Sequence, residues 1–301
     1  NILKFIFMSI KSALLKKFKV LLTNISPVLN TRFVYWWTFR KPINLKNPKT
    51  LDEKIMWLKL NVYSNNQLVT DCADKYRVRE YVEKCGCGEI LNELYFAYDE
   101  VEEIDWNKLP NKFVMKWNFG CGQNFICRDK AQLDIPATIK MLKEWKKEKD
   151  LFYKDRSEMQ YKGIQPKLIC EKLIESEDGG LPKDYKLYCF NGNPHCILVC
   201  ANRVRAGHAE YYFFDKDWNL KRYNQQGKDA PEGFTLPKPK NIEKLFEYAG
   251  ILSKPFPFVR ADFYLENGKV YFGELTFTPC AGLDKGRLPE TQLLFGNMLK
   301  L

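Results

Sequence analysis

A β-hairpin is predicted by PFVRADFYLENGKVYFGELTFT, which spans residues 257–278. Apolar residues surround one carboxylate in each half, Asp262 in the first strand and Glu274 in the second. Glu266, Asn267 and Gly268 lie between the halves and favour a turn. Mg²⁺ is often bound through one or two carboxylates, so this stretch predicts a metal site as well as a fold. An ordinary surface hairpin with solvated acids is the alternative.

The length of the loop decides whether the two carboxylates face the same way. A two-residue loop would pair Asp262 with Gly273 and send Glu274 to the opposite face, since side chains alternate along a strand. A three-residue loop, with Gly268 left-handed in a bulge, would pair Asp262 with Phe272. Glu274 would then lie on the same face as Asp262, one diagonal step of about 7 to 8 Å away. We therefore expect the three-residue loop.

Composition predicts a globular protein. The 301 residues are 45% hydrophobic and 15% aromatic, enough to bury a core in two or three lobes. The ten cysteines have no framework spacing and predict reduced, mostly buried thiols of a cytoplasmic protein. With two histidines, the chain has little material for histidine-based nucleophilic or zinc chemistry.

The excess positive charge is concentrated at the amino end. The net charge is +11, yet no Asp or Glu precedes Asp52, and the first 51 residues carry ten Lys or Arg. The near-neutral remainder argues against nucleic acid as a partner. Residues 1–20 alternate apolar residues with lysines and predict a basic amphipathic helix, which either contacts an anionic membrane surface or packs on the protein itself. A secretory signal fits poorly because Lys11 interrupts the apolar run, and no apolar run is long enough to span a bilayer.

Helices are predicted mainly in the first half of the chain and strands in the second. Thr50 and Glu53 form a capping signature for a helix through Leu60, Asp74–Val82 continues in helical style, and residues 136–150 are a charged helix. A further helix is expected near residues 241–253. Before the hairpin, strands are predicted at Lys112–Lys116, Lys167–Leu173, Tyr185–Phe190, His195–Cys200 and Ala209–Phe214. This order predicts an α+β or mixed α/β fold.

Two further stretches suggest nucleotide binding. An apolar strand ends in Lys116 and is followed by a glycine-bearing loop, whose backbone amides could close on phosphate oxygens. It is not a Walker loop, since Gly-Lys-Ser/Thr is missing, and a plain turn is the alternative. The strand at Pro166–Ile174 leads into an acidic loop and could offer its edge to a purine, although a purely structural strand would have the same pattern.

In combination, these stretches resemble the ATP-grasp superfamily, and more closely the TupA-like ATP-grasp proteins of teichuronopeptide and other bacterial surface-polysaccharide synthesis. The resemblance runs from about residue 25 to the end of the chain. Its motifs include Asn47-Pro48-Lys49-Thr50, Trp57-Leu58-Lys59-Leu60, Asp74-Lys75-Tyr76, Leu109-Pro110-Asn111-Lys112, Asp184-Tyr185-Lys186, Phe190-Asn191-Gly192 and Gly273-Glu274-Leu275-Thr276.

The resemblance implies an α+β protein with the ATP-grasp fold, in which two α+β lobes grip ATP after a mostly helical N-terminal region. The expected divisions are a basic amphipathic segment (1–40), a helical region (41–110), a small lobe with the glycine flap (111–170) and a large lobe with the Mg²⁺-binding hairpin (171–301).

The resemblance also implies roles for particular residues. The nucleotide-binding set is Lys75 and Lys116 at the phosphates, Gly120, Cys121, Gly122 and Gln123 in the flap, Glu171, Lys172 and Ile174 at the adenine, and Asp178 or Glu177 at the ribose. The Mg²⁺ ligands would be Asp262, Glu274 and Thr276. Arg260 would neutralise charge on the transferred phosphoryl group, and Lys186 would contact phosphate or substrate.

The chain departs from the superfamily pattern in two places. Thr276 stands where Asn is frequent, and Phe119, Cys121 and Gln123 occupy flap positions where His, Ser and Gly are expected. These differences affect the flap contacts more than the metal site.

The implied activity is an ATP- and Mg²⁺-dependent amide ligase that joins an amino acid or amine to a carboxylated sugar of a glycan precursor. A glycosyltransferase is one alternative, because Asp215-Lys216-Asp217 has a metal-binding form, although it also favours a turn. An ATP-grasp kinase that stops at phosphoryl transfer is another, and a catalytically silent membrane or nucleic-acid binder is a third. Arg203, Arg205 and His208 are candidate acceptor contacts on a loop that could equally be solvated.

Overall fold

The computed structural model of the chain describes residues 2–176, 179–201 and 209–301, with side chains from residue 12 onward. The described residues form ten α-helices. They are α1 (Ile2–Ile25), α2 (Pro27–Phe39), α3 (Leu51–Asn61), α4 (Gln67–Ala73), α5 (Val78–Lys84), α6 (Ile135–Lys147), α7 (Lys149–Asp155), α8 (Gln225–Asp229), α9 (Ile242–Ser253) and α10 (Pro289–Met298). None of the helices in these ranges combines the length and apolarity needed to cross a membrane.

The strands form two antiparallel sheets. The smaller sheet has the order β1-β4-β2-β3, and the larger has the order β10-β9-β5-β6-β7-β8. The strands are β1 (Leu94–Tyr98), β2 (Phe113–Trp117), β3 (Asn124–Cys127), β4 (Leu168–Lys172), β5 (Asp184–Phe190), β6 (Asn193–Ala201), β7 (Glu210–Phe214), β8 (Leu220–Lys221), β9 (Phe258–Glu266) and β10 (Lys269–Thr276). The predicted α+β class is confirmed.

The capping signature predicted at Thr50 is present. The Thr50 hydroxyl accepts from the Glu53 amide, and the Glu53 carboxylate accepts from the Thr50 amide, so α3 begins at Leu51. The helix expected over Asp74–Val82 begins only at Val78, because the Asp74 carboxylate accepts from the Tyr76 and Arg77 amides and holds a turn there. The charged helix over 136–150 is divided between α6 and α7.

The hairpin of β9 and β10 corrects the predicted loop. The loop has two residues, Asn267 and Gly268, both with positive φ, as in a type I′ turn. The register then shifts at Gly273, so that Phe272 pairs with Phe263 and Glu274 pairs with Asp262. The two carboxylates share a face as expected, but they lie directly opposite each other and not one diagonal step apart. The bulge in β10 therefore keeps both carboxylates on one face, which is the effect that was expected from a three-residue loop.

The larger sheet separates a core face from a cleft face. Helix α9 packs against β5, β6 and β9, over the buried side chains of Leu187, Ala261 and Phe263. Residues that alternate with these, including Lys186 and Asp262, point to the opposite face.

The predicted domain boundaries stay predictions. The boundary expected between residues 170 and 171 falls inside β4, which runs without interruption from Leu168 to Lys172.

Candidate active site

Four charged side chains meet on the cleft face of the larger sheet. Arg260 donates from Nε to Asp262 Oδ1 (2.7 Å) and from Nη2 to Asp262 Oδ2 (2.6 Å). Lys186 Nζ lies 2.8 Å from Asp262 Oδ2 and 2.7 Å from Asp184 Oδ2. These contacts follow from the register of β5 and β9, in which Lys186 pairs with Asp262. Asp184 and Arg260 each lie two positions along their own strand, so their side chains point to the same face of the sheet.

Glu274 and Thr276 extend this cluster towards solvent. The Glu274 side chain is 38% exposed, whereas that of Asp262 is 3% exposed. Thr276 donates to Glu274 Oε1 (3.3 Å) and accepts from Arg260 Nη2 (3.2 Å). Arg260 Nη2 also lies 3.8 Å from Glu274 Oε1. The three predicted metal ligands and both predicted catalytic residues are therefore neighbours.

The buried charges of the cluster are in their ionised forms. Burial alone would raise the pKa of Asp262, but Arg260 and Lys186 outweigh it and the pKa lies below its ordinary value. Burial would likewise lower the pKa of Lys186, but Asp262 and Asp184 raise it above its ordinary value. The sheet therefore presents fixed charges at neutral pH.

The donor set fits a metal ion that is shared with phosphate. Within the described ranges no group of three or more His, Cys, Asp or Glu side chains is arranged to hold a metal by itself. Mg²⁺ needs no such group, since it is commonly bound through one or two carboxylates together with substrate phosphates. Asp262 and Glu274, directly opposite each other, supply two carboxylates. A cation at Asp262 would compete with Arg260 and Lys186 for its oxygens.

Two lysines face this cluster from the smaller sheet and its neighbouring loop. Lys116 Nζ lies 2.7 Å from Glu171 Oε2, and Arg79 Nη1 lies 3.3 Å from Glu171 Oε1. The Glu171 carboxylate, predicted at the adenine, is thus paired with two cations. Lys75 donates from Nζ to the carbonyl of Gly120 in the flap. Burial lowers the pKa of Lys75, and the charge of Glu274 opposes that shift.

A turn holds Lys75 beside the flap. Asp74 Oδ2 accepts from Asn118 Nδ2 (2.7 Å), and the Lys75 amide donates to the Asn118 carbonyl (2.9 Å). Asn118 directly follows Trp117, the last residue of β2, so the Asp74 turn and this strand position Lys75 and Lys116 together. The Asp74-Lys75-Tyr76 motif therefore has a structural function as well as a charge to offer.

The glycine loop joins β2 to β3. Gly120 and Gly122 have φ of +80° and +77°, a backbone region that other residues rarely adopt. Phe119 is buried and stacks on Trp117, whereas Cys121 is exposed. Gln123 Nε2 donates to Glu148 Oε2 (2.9 Å). Of the residues that depart from the superfamily pattern, Phe119 and Gln123 therefore hold the loop in place, whereas Cys121 is exposed.

Two adjoining cavities lie between the sheets. One is lined by apolar residues, among them Val114, Ile126, Leu173 and Ile174, and about equally by polar and charged residues, among them Arg79, Glu171 and Lys172. The other contains the charged residues and the glycine loop: Lys75, Lys116, Gly120, Cys121, Gly122, Gln123, Lys186, Asp262 and Glu274. Lys75, Lys116 and Tyr264 border both cavities. The arrangement offers a cavity with apolar side chains on part of its wall, suited to a planar base, next to a charged cavity suited to a chain of phosphates.

Some predicted contacts lie outside the described residues. These are Glu177 and Asp178 at the ribose position and Arg203, Arg205 and His208 of the acceptor loop.

The site also contains two residues, Arg79 and Asp184, to which the sequence alone assigned no role. Asp184 could have been found from its place two residues before Lys186 on a strand. Arg79 left no such signal, because it meets Glu171 only through the tertiary fold.

A second cleft, the α2 cleft, lies beside helix α2. Its lining includes Tyr35, Thr38, Phe39, Gln225, Lys285 and Arg287. Arg287 Nη1 lies 3.0 Å from Asp52 Oδ1, and Nη2 lies 3.4 Å from the Tyr188 hydroxyl. Tyr188 is the register partner of Arg260. Arg287 therefore connects the α2 cleft to Tyr188, which lies across from Arg260 on the neighbouring strand.

The Asp-x-Asp sequence at residue 215 forms a turn. Asp215 Oδ1 accepts from the amides of Asp217 (3.0 Å) and Asn219 (2.9 Å). Asp215 Oδ2 lies 3.1 Å from Lys221 Nζ. The Asp215 carboxylate is thus used to hold the β7–β8 connection, as a turn-forming residue does.

Comparison with known proteins assigns the chain to a family. No curated protein matches it significantly. Among solved structures, D-alanine–D-alanine ligase from Bacillus anthracis complexed with ATP is 14% identical, with a TM-score of 0.47, over 76% of this chain and 63% of that one. L-amino acid ligase from Bacillus licheniformis is 14% identical, with a TM-score of 0.48, over 83% and 56%. The chain thus spans less than two thirds of the length of either. The sequence model of the family described as TupA-like ATPgrasp matches residues 53–300. The predicted resemblance is therefore confirmed, and this chain belongs to the TupA-like ATP-grasp family.

Proposed function

We propose that this protein is an ATP- and Mg²⁺-dependent ligase that joins a carboxylate to an amine through an acyl phosphate. The observation that carries the proposal is the opposition of Asp262 and Glu274 beside Arg260 and Lys186, in a cavity that Lys75 and Lys116 also line. Three carboxylates (Asp184, Asp262 and Glu274) and three lysines line this one cavity, and Arg260 lies behind Asp262, an arrangement suited to a polyphosphate with its metal ion.

ATP would lie between the two sheets. The cavity lined by Val114, Ile126 and Ile174 would take the adenine against Ile174 and the backbone near Lys172, and the glycine loop would cover the phosphates. Lys75 and Lys116 would contact the phosphate oxygens. Asp262, Glu274 and Thr276 would hold Mg²⁺, which supplies neutralisation of phosphate charge when it is bound. Asp178 would contact the ribose.

The chemistry needs positioned cations more than proton donors. A carboxylate oxygen of the acid forms a bond to the γ-phosphorus while the bond to the β-phosphate oxygen breaks, and ADP leaves. The amine nitrogen then bonds to the acyl carbon, phosphate leaves, and the nitrogen loses a proton. Arg260 would stabilise the charge on the transferred group, and Lys186 would hold the incoming carboxylate beside it.

The substrates would be an amino acid or amine and a carboxylated sugar of a bacterial capsule, O-antigen or teichuronic polymer precursor. The family's association with surface-polysaccharide synthesis supports this choice. The α2 cleft supports it too, since its lining combines the aromatic side chains of Tyr35 and Phe39 with hydrogen-bonding groups such as Thr38 and Gln225. The reaction would take place in the cytoplasm, without nucleic acid.

The test is ADP release by the Glu274→Gln variant. Glu274 is partly exposed and its ion pair with Arg260 is long (3.8 Å), so the variant should fold and lose nearly all ADP formation. The matched control is Glu290→Gln, an exposed acid at the start of α10 that should leave turnover unchanged. Full turnover by Glu274→Gln would refute the metal assignment. ADP formation that proceeds at the same rate without any amine would favour a kinase over a ligase.

A further inference from the structure

Exposed apolar side chains are concentrated on the first two helices. Of the fifteen large hydrophobic residues that are exposed in the described part of the chain, eight lie between Leu14 and Trp37. They are Leu14, Phe18, Leu21 and Ile25 in α1 and Val28, Leu29, Trp36 and Trp37 in α2. A concentration of this kind on a folded protein marks an interaction surface.

The other side of these helices is packed on the protein, which fixes the direction of the exposed face. Lys19 is ion-paired with Asp155 of α7. Thr23 donates to the Lys154 carbonyl (2.7 Å), and Asn30 Nδ2 donates to Thr23 Oγ1 (2.8 Å) and to the Asp155 carbonyl (3.1 Å). Thr23 and Asn30 are buried. The exposed residues of α1 recur at intervals of four, three and four, so they form a stripe on the side away from this contact.

The stripe is continuous with an aromatic group on α2. Phe18 contacts Phe33 edge to face (5.2 Å between ring centroids), and Phe33 contacts Trp37 (5.9 Å). Trp36 lies beside Trp37, and the Arg40 guanidinium lies over both indole rings, 5.3 and 4.9 Å from their centroids. Trp36 and Trp37 are 47% and 46% exposed.

The charges around this surface are positive. Lys17, Arg32, Arg40 and Lys41 are exposed beside the apolar stripe. No acidic residue precedes Asp52 in the sequence. The acids of α7 that lie near α1 are paired, Asp155 with Lys19 and Asp150 with Lys154. The surface therefore combines apolar, indole and cationic groups without an exposed carboxylate of its own.

We propose that this outer face of α1 and α2 docks on an anionic phospholipid bilayer. Indole rings favour the boundary between headgroups and acyl chains, and cations beside an apolar stripe favour anionic headgroups. A second copy of the chain would bring the same cations against each other, which charge repulsion opposes. The docking does not depend on the ligase reaction. It would place the α2 cleft, lined by Tyr35, Thr38 and Phe39 of the same helix, close to the membrane.

Co-sedimentation of the full chain with lipid vesicles tests the proposal. The chain should bind vesicles that contain phosphatidylglycerol and not vesicles of phosphatidylcholine alone, and binding should weaken as salt is added. The double variant Trp36→Ala/Trp37→Ala should reduce binding about tenfold or more. The variant Arg32→Glu/Arg40→Glu should abolish the preference for anionic lipid. The matched control is Leu68→Ala/Ile251→Ala, which removes exposed apolar side chains elsewhere and should bind as the wild type does.

Three results would overturn the proposal. They are absence of binding to phosphatidylglycerol vesicles, equal binding to both vesicle types, and a dimer in sedimentation velocity that Trp36→Ala/Trp37→Ala abolishes. The urea midpoint of each variant verifies that it is folded. Because vesicle binding is measured without ATP, and ADP release without vesicles, each proposal can fail independently of the other.

Discussion

At the scale of single residues, Asp262 is the centre of the charged cluster. Its two carboxylate oxygens accept from Arg260 and Lys186, and its side chain is almost fully buried. Removing one member of a buried ion pair leaves its partners without an opposite charge, which commonly lowers the free energy of unfolding by about 3 kcal/mol or more. Lys186 would keep Asp184 as a partner, while Arg260 would keep its hydrogen bond to Thr276 and the longer contact to Glu274.

We therefore expect Asp262→Asn to abolish ADP formation and to lower the free energy of unfolding by about 3 kcal/mol. Urea denaturation measures the second effect. Asp215→Asn is the control, because Asp215 holds an exposed turn and its loss should not affect ADP release. A variant with unchanged stability would contradict the importance assigned to this buried contact.

The same residue predicts a pH dependence of stability. The pKa of Asp262 is lowered in the folded protein, so its stabilising contribution is complete above the unfolded-state value of about 3.8. It is lost as the pH falls below that value towards the folded-state pKa. Acid titration of the unfolding free energy should therefore be steeper for the wild type than for Asp262→Asn below pH of about 4. Parallel curves would contradict the assignment.

At the scale of elements, the bulge in β10 decides whether the two carboxylates of the hairpin face the same cavity. Gly273 lies so close to β9 that an added Cβ would be 2.9 Å from the Asp262 carbonyl oxygen. Without the bulge, the two-residue loop would pair Asp262 with Gly273 and turn Glu274 away. Glycine is thus required by a close approach of two backbones, not by its φ.

Gly273→Ala should consequently displace the strands at this point, abolish ADP formation and destabilise the protein by about 1 to 3 kcal/mol. Gly250→Ala in α9 is a matched control, since its Cβ would meet Pro194 at an ordinary 3.7 Å. That substitution should be neutral or stabilise by about 0.5 kcal/mol. Comparison of the two unfolding curves distinguishes a local clash from a general intolerance of larger residues.

At the scale of the whole molecule, the site exists only where the two sheets face each other. The smaller sheet supplies Lys116, the loop before α5 supplies Lys75, and the larger sheet supplies the carboxylates. A ligand that contacts both sheets stabilises the folded chain according to its affinity. Saturating ATP with Mg²⁺, at one hundred times its dissociation constant, should add about 2.7 kcal/mol to the unfolding free energy.

Thermal or urea unfolding with and without nucleotide measures this stabilisation. A UDP-sugar with Mn²⁺ should give no comparable effect, because Asp215 is committed to its turn. Stabilisation by the UDP-sugar and not by ATP would reverse the choice between ligase and glycosyltransferase.

The amino-acid sequence alone determined those features that depend on neighbouring residues. The Thr50 cap, the strand that ends near Lys116 and the hairpin with its two carboxylates follow from turn formers and from periods of two or 3.6 residues. The concentration of positive charge before Asp52 could likewise be read directly. These patterns were sufficient for the α+β class and, with the ordered motifs, for the family.

Only the tertiary structure decided how distant parts meet. Counting residues could not distinguish a three-residue loop from a two-residue loop followed by a bulge at Gly273. Both arrangements keep the carboxylates of Asp262 and Glu274 on one face of the hairpin. Glu171 was expected at the adenine; it lines the same cavity as Ile174 and is also paired with Lys116 on the neighbouring strand and with Arg79, 92 positions away. The apolar stripe of α1 was open to two interpretations, and packing on α7 fixed which side stays exposed. Contacts of this kind depend on the packing of whole elements, which no local period of the sequence encodes.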